Sequence, residues 1–323
     1  MQHRNILSFP IKSARIHHSL GSVVERRCAR VEHPAKMMLF TFVALISLMR
    51  GTWCGGGAHY SYAHQDKWPE LCQKGTKQSP VNLPDPCGNG VTADEKLTIK
   101  LTGYDKNLPL DKEKFVNNGH TVQLNVEGFN KKNGDAPTVS GSVAKGAKYQ
   151  FVQLHFHWPY NSSQGSEDEV AGKRLTIENH LVHFNTKYAT IGEAANQTDG
   201  LLVLGILYRL NDKTYNNPLT PLIGRLPKID QNSQMTEPGK AFNLKSLLPA
   251  NFDTKYYTYS GSLTTPPCYE SVTWVVFQEV QPIGKKQLMN FQNITDKVNR
   301  YRPVQPLNGR KVYVPSKKSC GMK

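Results

Sequence analysis

From about Tyr60 onward the apolar residues fall in short runs, with Gly, Pro or Asn between them. Within each run apolar and polar positions tend to alternate. A period of two puts successive side chains on opposite faces of an extended chain, so the pattern predicts strands. The predicted strands are Lys96–Thr102, Thr121–Val126, Tyr149–Trp158, Thr176–Asn185, Leu201–Leu210, Tyr256–Leu263 and Ser271–Gln278. A helical pattern is clearest over Lys285–Asn299. Short turns between strands favour antiparallel pairing, so the chain reads as mainly β (α+β) with minor helices. No repeat, low-complexity linker or abrupt change in composition interrupts Tyr60–Val314, which predicts a single domain.

One segment breaks the pattern. Met37–Met49 is a 13-residue apolar run with basic residues before it and a small, turn-prone GTWCGGGA after it. That is the layout of a secretory signal peptide, and it is shorter than the roughly 20 apolar residues a membrane span needs. The expected organisation is a leader or extended n-region over residues 1–36, with Met37 or Met38 as an alternative start. A signal peptide follows over 37–54, then a domain over 58–316 and a tail over 317–323. The C-terminal VYVPSKKSCGMK has no hydrophobic stretch, which argues against a lipid anchor.

Charge changes this picture little. The net charge is +15, but eight of the basic residues precede Gly51, against only Glu25 and Glu32. The remaining charges are scattered and read as solvated surface, not as a nucleic-acid site. Export makes Cys54, Cys72, Cys87, Cys268 and Cys320 candidates for disulfides. Their odd number leaves one unpaired, intermolecular or removed by processing. In that compartment the sequons at Asn161, Asn196 and Asn293 can carry glycans.

The chemistry is concentrated in two predicted strands. In Gln153-Leu-His-Phe-His-Trp158, His155 and His157 share one face, about 7 Å apart along the backbone, while Leu154, Phe156 and Trp158 share the other. In Glu178-Asn-His-Leu-Val-His183, Glu178, His180 and Val182 share a face and His183 lies opposite, where a structural role is expected. If the strands pair, His155, His157 and His180 present three neutral nitrogens to one ion. Such a set suits zinc and leaves a coordination position open for water. Gln153 and Glu178 each stand two residues before a ligand, on the same face, where they can accept the proton of the nitrogen that does not bind metal.

Beyond the histidine strands the chain carries Lys77-Gln-Ser-Pro-Val-Asn82, Asn117-Asn-Gly-His120, Gln164-Gly-Ser-Glu167 and Tyr259-Ser-Gly-Ser-Leu-Thr-Thr-Pro-Pro-Cys268, running on to Trp274. With these motifs in this order it resembles the animal-type α-carbonic anhydrases, in their secreted form, from about Tyr60 to Val314. The resemblance implies a twisted, mostly antiparallel sheet of about ten strands, flanked by short helices, with zinc in a conical cleft. It implies a lyase that reversibly hydrates carbon dioxide to bicarbonate and a proton by zinc-bound hydroxide.

Residue roles follow from the same resemblance. Thr264 would accept the hydroxide's proton and donate its own to Glu167, and Thr265 would contact the anionic product. Val182, Val203, Leu263 and Trp274 would form the apolar wall that receives carbon dioxide. His120 would shuttle protons, which requires a group titrating near neutrality, along waters ordered by Tyr62, Asn118 and Gln123. Gln123 stands where asparagine is commoner. Cys72 and Cys268 would form a disulfide bracing the Thr264 loop, whereas Cys54, Cys87 and Cys320 have no assignment, a Cys54–Cys87 pair being one arrangement. Two other readings stay open: a noncatalytic extracellular binding or matrix module on the same fold, and a zinc hydrolase acting on esters or peptides. Association with an extracellular or mineral matrix alongside catalysis is compatible with the enzyme reading.

Overall fold

The computed structural model describes residues 60–129, 136–213, 218–226, 233–235, 240–294 and 297–316. The leader, the signal-peptide run, Cys54, Cys320 and the tail lie outside them. The described residues belong to one unit, Gly56–Lys323.

Their strands are β1 (Asn82–Leu83), β2 (Val91–Ala93), β3 (Lys100–Thr102), β4 (Glu113–Asn117), β5 (Val122–Val126), β6 (Thr138–Ser140), β7 (Tyr149–His157), β8 (Glu169–Val170), β9 (Lys173–Arg174), β10 (Ile177–Asn185), β11 (Leu201–Leu210), β12 (Ser233–Met235), β13 (Tyr256–Gly261), β14 (Val272–Phe277), β15 (Gln281–Ile283) and β16 (Val312–Val314). The main sheet runs β12-β4-β5-β7-β10-β11-β14-β13-β16-β2, and β15, β6 and β3 attach at its margins to make thirteen strands. It is mixed. Most pairs are antiparallel, but β11 runs parallel to β14 and β15, and β16 parallel to β2. A small second sheet has the order β1-β8-β9.

The centre of the large sheet is buried on both faces. Every residue of β10 is buried, as are the first eight of β11, which is why Leu201–Tyr208 reads as a continuous apolar run without alternation. One face packs Leu154, Phe156, Leu181, Leu204 and Val275 into the larger core. The other packs Val182, Val203, Tyr259, Trp274 and Val276. Between β7 and β10 the register slips: Val182 pairs with Gln153 but His183 pairs with Phe151. Val152 is the extra residue of a β-bulge. The bulge changes the phase of β7, so Phe151 and Leu154 face the same core although three residues apart.

Each predicted strand is present within two residues of its bounds except the first. Lys96–Ile99 does not pair as a strand; only Lys100–Thr102 does. The Asp94 carboxylate accepts from Lys96 N, and Ser142 Oγ accepts from Thr98 N, so side chains take the amides a ladder would have used. The predicted helix ends at Asn293, not Asn299. Further on, Arg300 N donates to Trp158 O at the end of β7, which holds the chain against the sheet. Strand β4 escaped notice because Glu113 occupies an inward position; its carboxylate is held 3.0 Å from the Arg225 guanidinium.

Cys72, in the short helix Glu70–Lys74, is bonded to Cys268, 196 residues away in the loop that follows β13. Cys87 is also disulfide-bonded; its suggested pairing with Cys54 lies outside the described residues. A closed loop this long restricts the unfolded chain, a contribution of about 2–5 kcal/mol. We therefore expect the Cys72→Ala/Cys268→Ala variant to unfold at a clearly lower temperature than the parent. Equal midpoints in a calorimetric scan would show that the bridge contributes nothing.

Candidate metal centre and active site

The site is built on the pairing of β7 with β10. His155 lies directly opposite His180, and His157 opposite Glu178. One nitrogen from each of His155, His157 and His180 lies within 4.8 Å of the others. The remaining nitrogen of each ring is already engaged. His155 Nδ1 is 2.9 Å from Gln153 Oε1, and His180 Nε2 is 2.9 Å from Glu178 Oε1. His157 Nδ1 is 2.9 Å from the Arg300 carbonyl oxygen. These contacts leave His155 Nε2, His157 Nε2 and His180 Nδ1 facing one another.

Electrostatics agree with that arrangement. Burial holds all three imidazoles neutral at ordinary pH: His180 is brought down to about 3, and His155 and His157 fall well below the usual histidine range, with neighbouring histidines adding to the effect. His157 Nε2 is buried without a hydrogen-bond partner. It is 3.3 Å from Glu167 Oε2, but that atom too is unpartnered, so the two are close without being aligned. An orphaned, inward-facing nitrogen among three neutral donors is what a zinc ion requires, and the residues fit it.

The carboxylates beside the histidines are fixed by backbone. Glu178 Oε2 accepts from the amides of Glu167 and Asp168, and Glu167 Oε1 accepts from Arg302 N at 2.9 Å. Burial raises the Glu167 pKa, while the Thr264 side chain and the Arg302 amide pull it back down. The Arg302 guanidinium donates to Gln78 Oε1, to the Ser79 carbonyl and to the Cys72 carbonyl. Gln78 Nε2 in turn donates to the Cys268 carbonyl. The Thr264 loop is thus tied to the chain near Cys72 by polar contacts as well as by the disulfide.

A cavity of about 230 Å³ opens over the three histidines. Val182, Val203, Leu263 and Trp274 line it on one side, and Trp274 meets the His180 ring edge-on at 4.7 Å. Thr264, Thr265, Tyr62, Asn118 and Gln123 line it too. Gln123 Nε2 donates to Asn125 Oδ1 at 2.6 Å. His120 stands apart. Its ring lies flat against Tyr60 at 3.9 Å, and it is Tyr60 that lines the cavity. His183 sits on the opposite face, 2.5 Å from the Tyr104 hydroxyl and 3.2 Å from the Leu202 carbonyl. Asn161, Asn196 and Asn293 are all exposed.

Two participants were not foreseen. Arg300 holds His157 through its backbone carbonyl, which carries no side-chain signature. Tyr60 had one available signal: an aromatic residue two positions before Tyr62, on the same side of the cavity.

Residues 63–316 match the family model described as eukaryotic-type carbonic anhydrase. The chain is 34% identical over 284 residues to carbonic anhydrase 15 of Mus musculus, covering 81% of this chain and 82% of the relative. It is 36% identical over 280 residues to carbonic anhydrase 7 of Mus musculus, covering 82% and 98%. To carbonic anhydrase 6 of Canis lupus familiaris it is 36% identical over 247 residues, covering 74% and 72%. With that match spanning the strands that bring the three imidazoles together, the chain belongs to the eukaryotic-type carbonic anhydrase family.

Proposed function

We propose that this carbonic anhydrase works outside the cell on carbon dioxide and bicarbonate, with zinc held by His155, His157 and His180 and protons leaving through His120. The observation that carries the reading is the convergence of three neutral imidazoles whose outer nitrogens are all engaged, beside an apolar wall. When bound, zinc supplies the Lewis acidity that makes water nucleophilic near neutral pH.

The chain's own residues do the rest. Gln153, Glu178 and the Arg300 carbonyl fix which nitrogen of each ring faces inward. Val182, Val203, Leu263 and Trp274 offer an uncharged substrate a dry surface, and Thr265 stands on the polar side to meet the anionic product. Thr264 orients the attacking water by accepting its proton and donating its own to Glu167, an acceptor fixed in place by Arg302 N. Tyr62, Asn118 and Gln123 order the water path, and Tyr60 connects the cavity to His120.

The extracellular setting is supported by the Cys72–Cys268 bond and by exposed sequon asparagines. The apolar run at Met37–Met49 fits the same setting as a signal peptide, with 58–316 as the enzyme domain. No helix among the described residues is long and apolar enough to cross a membrane. No observation favours the noncatalytic module: the three imidazoles it would have to disrupt are intact.

Three outcomes follow. Stopped-flow measurement on zinc-loaded protein should show rapid carbon dioxide hydration that disappears in His155→Ala and on chelation; a folded protein holding one zinc without activity would reject the reading. Gln153→Ala and Glu178→Ala should each weaken zinc affinity by about 10–100-fold, measured by competition with a chromophoric chelator. His120→Ala should lower kcat by about 10²-fold while leaving kcat/KM near the parent value, with kcat restored by a small diffusible buffer. A parallel fall in both constants would mean that His120 does not carry protons.

A further inference from the structure

A second cavity, of about 410 Å³, lies against β13, β14 and β16 and shares no residue with the histidine cleft. Tyr259 pairs with Trp274, and Trp274 lines the histidine cleft. Alternation therefore turns Thr258, Ser260 and Thr273 to the other face of the sheet. That face is otherwise apolar, continuing through Tyr256, Val275 and Phe277 into the larger core. At this end three hydroxyls line the cavity instead.

Thr258 is only 7% exposed, while Thr273 is half-buried and Ser260 is exposed, and no side-chain hydrogen bond joins any of the three hydroxyls to the described residues. A hydroxyl that opens on a cavity without a protein partner is available to whatever occupies the cavity. Charge tells what. Lys145, Arg310 and Lys311 line the same cavity against one carboxylate, Asp94. Lys145 and Lys311 form no ion pair among the described residues. The Arg310 guanidinium donates to the carbonyls of Leu307, Ser260, Gln78 and Pro306, so it contributes a fixed positive charge with no carboxylate on it.

We infer that this cavity is an anion site for a small hydroxylated molecule bearing a phosphate or sulfate ester. The lysines meet the ester oxygens in the field of Arg310, and Thr258, Ser260 and Thr273 bond to the oxygens of the body that carries it. The volume is within the range of small-molecule sites and far exceeds the roughly 30 Å³ of a water molecule, so a bare ion leaves most of it unfilled. The inference is independent of the role given to the histidines.

The test uses zinc-loaded enzyme titrated with glucose 6-phosphate, glucose 6-sulfate, inorganic phosphate and unmodified glucose, followed by amide chemical shifts and calorimetry. Both esters should bind more tightly than inorganic phosphate or glucose, with shifts centred on Thr258, Ser260 and Thr273, and the two esters separate phosphate from sulfate preference. Lys145→Gln/Lys311→Gln should lose about tenfold in affinity, and Thr258→Val, which keeps volume, should lose severalfold. Neither variant should alter the hydration rate or the melting temperature. Absence of binding, shifts confined to the histidine cleft, or affinity unchanged in the double lysine variant would each overturn the inference.

Discussion

Three imidazoles crowded into one buried space must stay uncharged, and much of this site follows from that requirement. Protonating any of them would put a cation out of water, and protonating a second would set two cations side by side. Burial therefore lowers their proton affinity, but neutrality alone leaves the tautomers undecided. Each ring needs an acceptor on its outer side, so that its single proton points away from the centre. Gln153 and Glu178 supply two of these acceptors from the histidine strands themselves, and the chain at Arg300 supplies the third.

Each acceptor then constrains a further part of the molecule. Glu178 can serve His180 because its other oxygen is held by the amides of Glu167 and Asp168, and this fixes the loop that carries Glu167. Residues 300–302 serve twice: the Arg300 carbonyl takes the proton of His157, and the Arg302 amide holds Glu167. The Arg302 side chain carries the connection onward to Gln78, Ser79 and Cys72. Elements distant in sequence are thus brought to one set of buried polar groups, where an unpaired atom is costly.

Much of this was legible in the residues. The spacing of His155, His157 and His180, with a polar residue two places before two of them, gave the three imidazoles that converge and two of their three acceptors. Period-two alternation gave the central strands. What it could not give was contact made by backbone. The Arg300 carbonyl has no residue-specific signal, and the segment before it carries a helix-like pattern to Asn299 although the helix ends at Asn293. Strand β4 was hidden by Glu113, a charged residue at an inward position that makes sense only once Arg225 is beside it. Lys96–Ile99 failed for the opposite reason: its composition suits a strand, but Asp94 and Ser142 claim its amides.

The bulge at Val152 gives β7 two independent halves. A regular strand obeys one rule of alternation from end to end, so changing which face a residue serves at one end changes it at the other. Here the extra residue resets the count between Phe151 and Gln153. The outer half can vary to suit the packing of the core, and the inner half can keep its histidines aimed at the cleft. A single inserted residue thus separates the selection for stability from the selection for chemistry along one continuous piece of chain.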